Sequence, residues 1–278
     1  MLLITGSNGQ LGNELRLLLG DAAIYVDRDE LDITDKAAVK AFFETQDFDF
    51  VINCAAYTAV DKAEEDFEAA DRINRLGPAL LAKYGKRVIQ ISTDYVFDGT
   101  AHLPYKEEDA VKPLSVYGST KLAGEEAVLA EAETAVIIRT AWLYSSFGAN
   151  FVKTMRRLGA VRDSLGVIFD QVGTPTYAAD LAAAIVAMLR QIKPGMKEVY
   201  HYSNEGVASW YDFAVAIMAE SGLPCAVRPL ETFEYPTKAT RPAYSVLNKA
   251  KIRRDFGLVV PHWMDGLKRC IHKLNEQA

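Results

Sequence analysis

The residues of this sequence best suited to chemistry are Tyr117 and Lys121, which are four positions apart. In a helix this spacing places both side chains on one face, one turn apart. A tyrosine phenol ordinarily has a pKa near ~10, and a neighbouring ammonium group favours the phenolate and lowers that pKa. We therefore expect Tyr117 to act as a general acid–base whose pKa is lowered by Lys121. Thr93, at the end of a predicted strand, supplies a hydroxyl that can hydrogen-bond the oxygen of a reacting carbonyl.

A second chemical feature is the turn that contains Gly6, Gly9 and Gly12 near the start of the chain. It follows the apolar run Leu2–Thr5 and precedes an amphipathic helical pattern, so it is predicted to join a buried strand to a helix. Such glycines let the main chain approach a pyrophosphate, whose charge the helix N-terminus favours, although glycine-rich turns also serve packing alone. Together with Tyr117 and Lys121, the turn predicts a nicotinamide-dependent reductase.

The choice of nicotinamide depends on Asp27 and Arg28, which end the next predicted strand about 20 residues after the glycines. An acid at this place favours the unphosphorylated ribose of NADH, and an arginine favours the 2′-phosphate of NADPH. Since both types are present, the pattern leaves the choice open. We expect NADPH, with NADH tolerated.

Composition and charge limit the classes of function. The 278 residues carry a net charge of −6, and no long basic run is present, which argues against a nucleic-acid-binding protein. Cys54, Cys225 and Cys270 are widely spaced and share no ligand spacing with the histidines, so we predict neither a disulfide framework nor a metal site. The N-terminus lacks the basic region of a signal peptide, and the apolar runs are too short for a membrane span, which predicts a cytoplasmic protein.

The elements that must position these residues alternate between strand-like and helix-like segments. This alternation predicts an α/β fold with a doubly wound parallel sheet. The predicted strands are Leu2–Thr5, Ile24–Asp27, Phe50–Ala55, Arg87–Ser92, Ala135–Thr140, Val167–Phe169 and Val199–Ser203. One of the predicted helices covers residues 61–83. Each motif follows a predicted strand, at the sheet edge where ligands of such folds bind.

The pattern loosens after about residue 203, where prolines become frequent. We therefore predict an NADP-binding Rossmann domain over residues 1–203, with a substrate-side insertion around residues 145–165. Residues 204–278 are predicted to form a smaller, mainly substrate-binding lobe. If the substrate carries a diphosphate, the glycine turn, which is occupied by the cofactor, cannot hold it. Arg241, a forked donor just before Pro242, is the predicted ligand for that diphosphate, although a surface arginine paired with a carboxylate is the alternative.

The motifs together resemble those of the extended short-chain dehydrogenases/reductases. Within that superfamily the chain is most similar to the dTDP-4-dehydrorhamnose reductase family. The segments that carry the resemblance span nearly the whole chain, and they are residues 5–15, 31–33, 53–64, 92–97, 116–125, 139–144, 150–151, 170–176 and 241–245.

The resemblance implies that Thr93, Tyr117 and Lys121 are catalytic, and that Lys121 also holds the nicotinamide ribose. The implied reaction is the NADPH-dependent reduction of the C4 ketone of dTDP-4-dehydro-L-rhamnose to dTDP-L-rhamnose, in which Tyr117 protonates the oxygen. The resemblance adds as cofactor contacts Asn8, Gln10, Leu11, Asp32, Ile33, Ala55, Ala56 and Tyr57. As sugar contacts it adds Val60, Asp94, Tyr95 and Trp142. For Trp142, burial in the core is the alternative.

Other functions within and beyond the superfamily stay open. Sugar-nucleotide dehydratases place a glutamate after the Thr-Asp pair, whereas Tyr95 follows Asp94 here, which disfavours dehydration. An epimerase would need a Cys or His near the substrate, and Cys54 is the nearest one. A non-catalytic regulatory subunit, like the relative that partners a methionine adenosyltransferase, need not keep the three catalytic groups. Their presence favours catalysis. The oligomeric state is left open, with a homodimer as one option.

Overall fold

The computed structural model describes residues 1–277 of the chain. Its strands are β1 (Leu2–Thr5), β2 (Ala23–Val26), β3 (Phe50–Asn53), β4 (Arg87–Thr93), β5 (Thr134–Thr140), β6 (Leu143–Tyr144), β7 (Ser164–Ile168), β8 (Val172–Gly173), β9 (Thr176–Tyr177), β10 (Lys197–His201), β11 (Ala208–Ser209) and β12 (Ala226–Leu230). Its α-helices are α1 (Gln10–Leu19), α2 (Lys36–Thr45), α3 (Val60–Ala63), α4 (Phe67–Asp71), α5 (Gly77–Gly85), α6 (Val116–Glu131), α7 (Phe151–Gly159), α8 (Ala178–Leu189), α9 (Trp210–Glu220), α10 (Ala250–Phe256) and α11 (Trp263–Glu276). A π-helical turn, Arg72–Leu76, joins α4 to α5.

The central sheet has the strand order β10-β5-β4-β3-β1-β2, and every neighbouring pair is parallel. The order reverses at β1, because the chain passes to β2 on one side and then to β3 on the other. In a doubly wound sheet a ligand cleft opens at such a reversal, outside the carboxyl ends of the strands. The predicted α/β fold with a doubly wound parallel sheet is confirmed.

The strands of this sheet are apolar on both faces because helices cover both. Ile4 and Ile52 face the layer that contains α1 and α8. Their sequence neighbours Leu3 and Val51 face the layer that contains α2, α5 and α6. All four residues are fully buried. The two layers hold the carboxyl ends of β1 to β5 along one edge, from which the side chains of the site project.

A second apolar core lies outside the sheet, and its largest members include Tyr144, Phe213 and Trp263. The predicted strand at residues 167–169 belongs here, because β7 pairs with β12 and not with the central sheet. Only alternate residues of β7 are buried, whereas β5 is buried along its whole length. One-sided burial is typical of a strand that packs on a single face. The expectation that this strand belongs to the central parallel sheet was therefore wrong.

The second core takes residues from both sides of position 203. The division into residues 1–203 and 204–278 stays a prediction, and Ala278 lies outside the described residues. Among residues 1–277, no helix has the length and apolar character needed to cross a bilayer.

The helix predicted over residues 61–83 is interrupted in the structure. Asp66 starts α4 as its N-cap, with its carboxylate accepting a hydrogen bond from the backbone N–H of Ala69 at 3.2 Å. Aspartate is a preferred N-cap residue, so it restarts the helix after α3 ends. The π-helical turn that follows contains the buried side chain of Asn74.

Candidate active site

A cleft of about 910 Å³ opens at the carboxyl ends of β1 to β5, where the strand order reverses. It extends from the glycine turn after β1 to the indole of Trp210 at the start of α9. Of the residues predicted from the sequence, all line this cleft except Gly12, Tyr57 and Arg241. The roles assigned to these residues stay predictions.

The glycine turn approaches its neighbours too closely for side chains. Gly6 has a φ of +64°, and a Cβ there would lie 2.5 Å from the backbone nitrogen of Ala55. Gly12 lies outside the cleft, and a Cβ on it would lie 2.5 Å from the Cα of Ser7. Gly12 therefore lets α1 pack onto the turn. Gly9 is the N-cap of α1 and has no side chain to bond the first N–H groups of the helix, which suit an anion.

Asp27 at the end of β2 already has partners within the protein. One carboxylate oxygen accepts the N–H of Asn8 at 2.9 Å, and the other accepts the N–H of Arg28 at 2.8 Å. The arginine side chain lines the cleft. Hydrogen bonds from the backbone and hydroxyl of Thr34 lower the pKa of Asp32. This carboxyl is therefore charged at neutral pH.

Asn74 is a site-supporting residue that the sequence analysis missed. Its side chain accepts the N–H of Tyr57 at 2.9 Å and donates to the carbonyl of the same residue at 3.2 Å. It also donates to the hydroxyl of Thr120 on α6 at 3.1 Å. Asn74 thus fixes the backbone of Tyr57, whose side chain does not line the cleft, and ties it to the helix that carries Tyr117. A lone asparagine in a helical pattern gives no signal for this role.

Thr93, Tyr117 and Lys121 meet in the middle of the cleft. Ser115 begins α6 by accepting the N–H of Gly118 at 3.1 Å. The hydroxyl of Thr93 accepts the N–H of Tyr95 at 3.2 Å. The ammonium of Lys121 donates to the carbonyl of Ile91 at 2.6 Å.

The pKa of Tyr117 differs from the expectation. Burial raises it to about 12, and the nearby carboxylate of Asp94 adds to the rise, while a hydrogen bond with Thr93 opposes it. Burial decides the direction, so the expected net lowering of this pKa beside Lys121 is wrong for this structure. Burial lowers the pKa of Lys121 to about 8. At neutral pH Tyr117 therefore holds its proton, and Lys121 is charged in most molecules.

Two glycines let α6 approach the cleft. A Cβ on Gly118 would overlap the carbonyl oxygen of Tyr95, and one on Gly124 would overlap the carbonyl oxygen of Asn74. The ring of Tyr95 lies edge-on to that of Tyr117 at 5.4 Å. The glycine after the tyrosine thus brings this pair of rings together.

An apolar wall closes the cleft on the side of the second core. Trp142 has a φ of +48°, a strained value for a bulky residue. Its indole stacks on that of Trp210 at 3.6 Å. Gly173 makes room for it, because a Cβ there would lie 2.8 Å from the Trp142 ring. Trp210 was missed because nothing in the sequence links the start of α9 to the end of β5.

The pKa values of one carboxyl group and one thiol in the cleft bear on the alternative functions, such as epimerisation. Burial raises the pKa of Asp94 to about 6. It raises the pKa of Cys54 to about 12, so this thiol stays neutral and is a poor base for an epimerase. No histidine is among the residues that line the cleft within the described part of the chain.

Arg241 does not line the cleft, and it forms an ion pair with Asp61. Its two terminal nitrogens donate to the carboxylate of Asp61 at 3.1 and 2.7 Å. The N–H of Ala239 donates to the same carboxylate at 3.1 Å. These bonds fasten the loop before Pro242 to α3, whose first residue, Val60, lines the cleft.

Comparisons with known proteins identify similar chains. The family model of the RmlD substrate binding domain matches residues 1–276. A dTDP-4-dehydrorhamnose reductase from Aggregatibacter actinomycetemcomitans is 41% identical over 285 residues, which cover 96% of this chain and 97% of that protein. A probable dTDP-4,6-dihydroxy-2-methyloxan-3-one 4-ketoreductase from Streptomyces antibioticus is 41% identical over 276 residues, with coverage of 96% and 92%. The crystal structure of the Bacillus anthracis dTDP-4-dehydrorhamnose reductase in complex with NADP has a TM-score of 0.94, 37% identity and 98% coverage of both chains.

Proposed function

The chain belongs to the family of the RmlD substrate binding domain, and we propose that it is an NADPH-dependent oxidoreductase that reduces dTDP-4-dehydro-L-rhamnose at C4 to dTDP-L-rhamnose. The names of the relatives and the NADP complex of one of them support this function. The observation that carries it is that Thr93, Tyr117 and Lys121 line the same cleft as the glycine turn. A proton-transfer site and a dinucleotide cradle are thus parts of one cavity.

The glycine turn fits the cofactor in its local structure. The N-terminus of α1, where Gly9 provides no side-chain cap, leaves N–H donors for a pyrophosphate, and the missing Cβ of Gly6 lets the turn pack against the backbone of Ala55. When bound, NADPH supplies the hydride that reduces the ketone. Ala55, Ala56 and Ile33 would lie along the cofactor on the β3 side of the cleft.

Proton transfer is the part of the reaction that the protein itself performs. Tyr117 keeps its proton at neutral pH because burial raises its pKa, so it is in the correct form to protonate the developing alkoxide. Thr93 would hydrogen-bond the same oxygen. The positive charge of Lys121 stabilises negative charge on the phenolate that forms, and its buried stem fixes its place next to Ile91. Asp94, Tyr95, Val60 and Trp142 would surround the sugar.

The direct test is the oxidation of NADPH by the purified protein with dTDP-4-dehydro-L-rhamnose, followed by the loss of NADPH absorbance and by identification of the product. We expect turnover that requires both compounds. The keto-sugar named for the Streptomyces antibioticus relative is the second candidate, and the higher kcat/KM decides between the two substrates. A protein that binds NADPH but oxidises it with neither sugar would be the regulatory subunit instead.

We also propose that Arg241 is a ligand of the substrate diphosphate. Its ion pair with Asp61 supports this role, because it places Arg241 next to α3, which begins with Val60. After the contacts to Asp61 and Ala239, some of its five N–H donors remain free. Arg241→Ala should weaken the binding of dTDP on the order of tenfold, because a charge-assisted hydrogen bond is lost, and should leave NADPH affinity unchanged. Calorimetric titration of the variant with dTDP measures this.

Asp61→Ala is the matched control for the Arg241 prediction. It breaks the same ion pair and loosens the same loop, but it leaves the guanidinium available. If Arg241 binds the diphosphate, only Arg241→Ala weakens dTDP binding. Equal losses in the two variants would show that the ion pair serves only to fasten the loop.

Two finer properties are also proposals. A location in the cytoplasm suits an enzyme that uses NADPH and a sugar nucleotide. A homodimer is the oligomeric state that we test first, by sedimentation of the purified protein. A monomer in that measurement would contradict it.

A further inference from the structure

Two arginines at the β2 end of the cleft lack a carboxylate partner. Arg28 and Arg72 both line the cleft, and neither forms an ion pair with any residue in the described range 1–277. Their charges add to the effect of the Thr34 hydrogen bonds that lower the pKa of Asp32, so both guanidinium groups lie in the neighbourhood of the same carboxyl. Unpaired guanidinium groups that converge on a cleft form a site for an anion.

The side chain of Arg72 is held in place by a short relay. Its Nη2 donates to the hydroxyl of Thr34 at 3.1 Å, and that hydroxyl donates to the carboxylate of Asp32 at 2.8 Å. One of the five guanidinium donors is used in this way, which leaves the others for a ligand. The π-helical turn that begins at Arg72 puts this residue beside Thr34 in the loop between β2 and α2, although it follows Arg28 by 44 positions.

Asp32 is the acid nearest to both guanidinium groups, and the other acids close to them have partners of their own. Asp71, the residue beside Arg72, is bonded through both carboxylate oxygens to Arg75 at 2.5 and 2.6 Å. The carboxylate of Asp27 accepts one backbone N–H on each oxygen, which leaves each oxygen one further acceptor position. Because neither Arg28 nor Arg72 is in an ion pair within residues 1–277, their guanidinium groups make this end of the cleft suitable for an anion.

We propose that Arg72 is a second specificity-determining residue, which binds the 2′-phosphate of the cofactor together with Arg28. The inference rests on the proposed function in that the cleft holds NADPH. Two cations match the charge of about −2 on a phosphate monoester. The Asp32–Thr34 relay positions Arg72 before the ligand arrives, which reduces the side-chain entropy lost on binding.

The test is a set of binding titrations of NADP⁺ and NAD⁺ to the full-length protein, without sugar substrate. Arg72→Ala should raise the Kd of NADP⁺ on the order of tenfold and change that of NAD⁺ by less than about twofold, because only the phosphate contact is lost. Arg28→Ala should act in the same direction, and the double variant should lose more than either. Arg72→Gln, which keeps a polar but shorter side chain without the charge, should match Arg72→Ala.

The control is Arg75→Ala, because Arg75 is exposed on the same π-helical turn but is paired with Asp71. It should leave both Kd values unchanged. Equal losses of NADP⁺ and NAD⁺ affinity in Arg72→Ala, or no loss, would overturn the inference. Titration with adenosine 2′-monophosphate, compared with adenosine, checks that the effect comes from the phosphate.

The outcome is separable from that of the proposed function. A protein that shows the expected Kd shifts but reduces no keto-sugar would refute the proposed reaction and leave Arg72 in its role. A protein that reduces the sugar but whose Arg72→Ala variant binds NADP⁺ normally would refute only the role of Arg72.

Discussion

Tyr117→Phe should lower kcat by about 10²- to 10⁴-fold, the usual contribution of a positioned general acid. The variant keeps the aromatic ring that packs against Tyr95, so the cleft and the helix α6 should be unchanged. The Kd of NADPH should therefore stay within about twofold of the wild-type value. Steady-state kinetics with dTDP-4-dehydro-L-rhamnose and a separate NADPH titration give the two numbers.

The control for this prediction is Tyr84→Phe, which removes a phenol hydroxyl from α5, away from the cleft. Its kcat should equal that of the wild type. Wild-type kcat in Tyr117→Phe would assign the general acid to another group. Asp94 would be the first candidate, because burial raises its pKa to about 6 and it lies beside Thr93.

The residues that were predictable from the sequence are those set by local pattern. The glycine spacing, the Thr93 position at a strand end and the one-turn spacing of Tyr117 and Lys121 are local features of single elements. A parallel sheet brings the carboxyl ends of its strands to one edge, so these features necessarily meet there. The order of elements along the chain was therefore enough to predict which residues line the cleft.

The residues that the sequence did not reveal act between elements that are distant along the chain. Arg72, at the start of a π-helical turn, reaches Thr34 in the loop after β2, and Trp210 stacks on Trp142 across the boundary between two cores. Neither contact has a local signature. The pKa of Tyr117 was misjudged for a related reason, because spacing along a helix does not tell whether burial outweighs a neighbouring charge.

Helix propensity and packing make opposite predictions for the stability of Gly118→Ala. This substitution therefore tests how closely α6 packs against the backbone of Tyr95. In a free helix, alanine is more favourable than glycine by about 1 kcal/mol. In the structure, the new Cβ would overlap the carbonyl oxygen of Tyr95 and lie 3.0 Å from the Cβ of Pro113. A backbone oxygen on a buried turn cannot move cheaply, and overpacking of this kind costs about 1–3 kcal/mol.

We therefore expect Gly118→Ala to lower the free energy of unfolding, with a fall of several degrees in Tm. It should also lower kcat, because the shift of α6 moves Tyr117 away from Thr93, and a displacement of about 1 Å can cost on the order of 10²-fold. Ser119→Ala is the matched control, since Ser119 is exposed on the same turn and its change affects only propensity. Calorimetry and kinetics of both variants give the answer. A Gly118→Ala protein more stable than the wild type would show that α6 has room at this contact, and the close approach of Tyr117 to Thr93 would then need another cause.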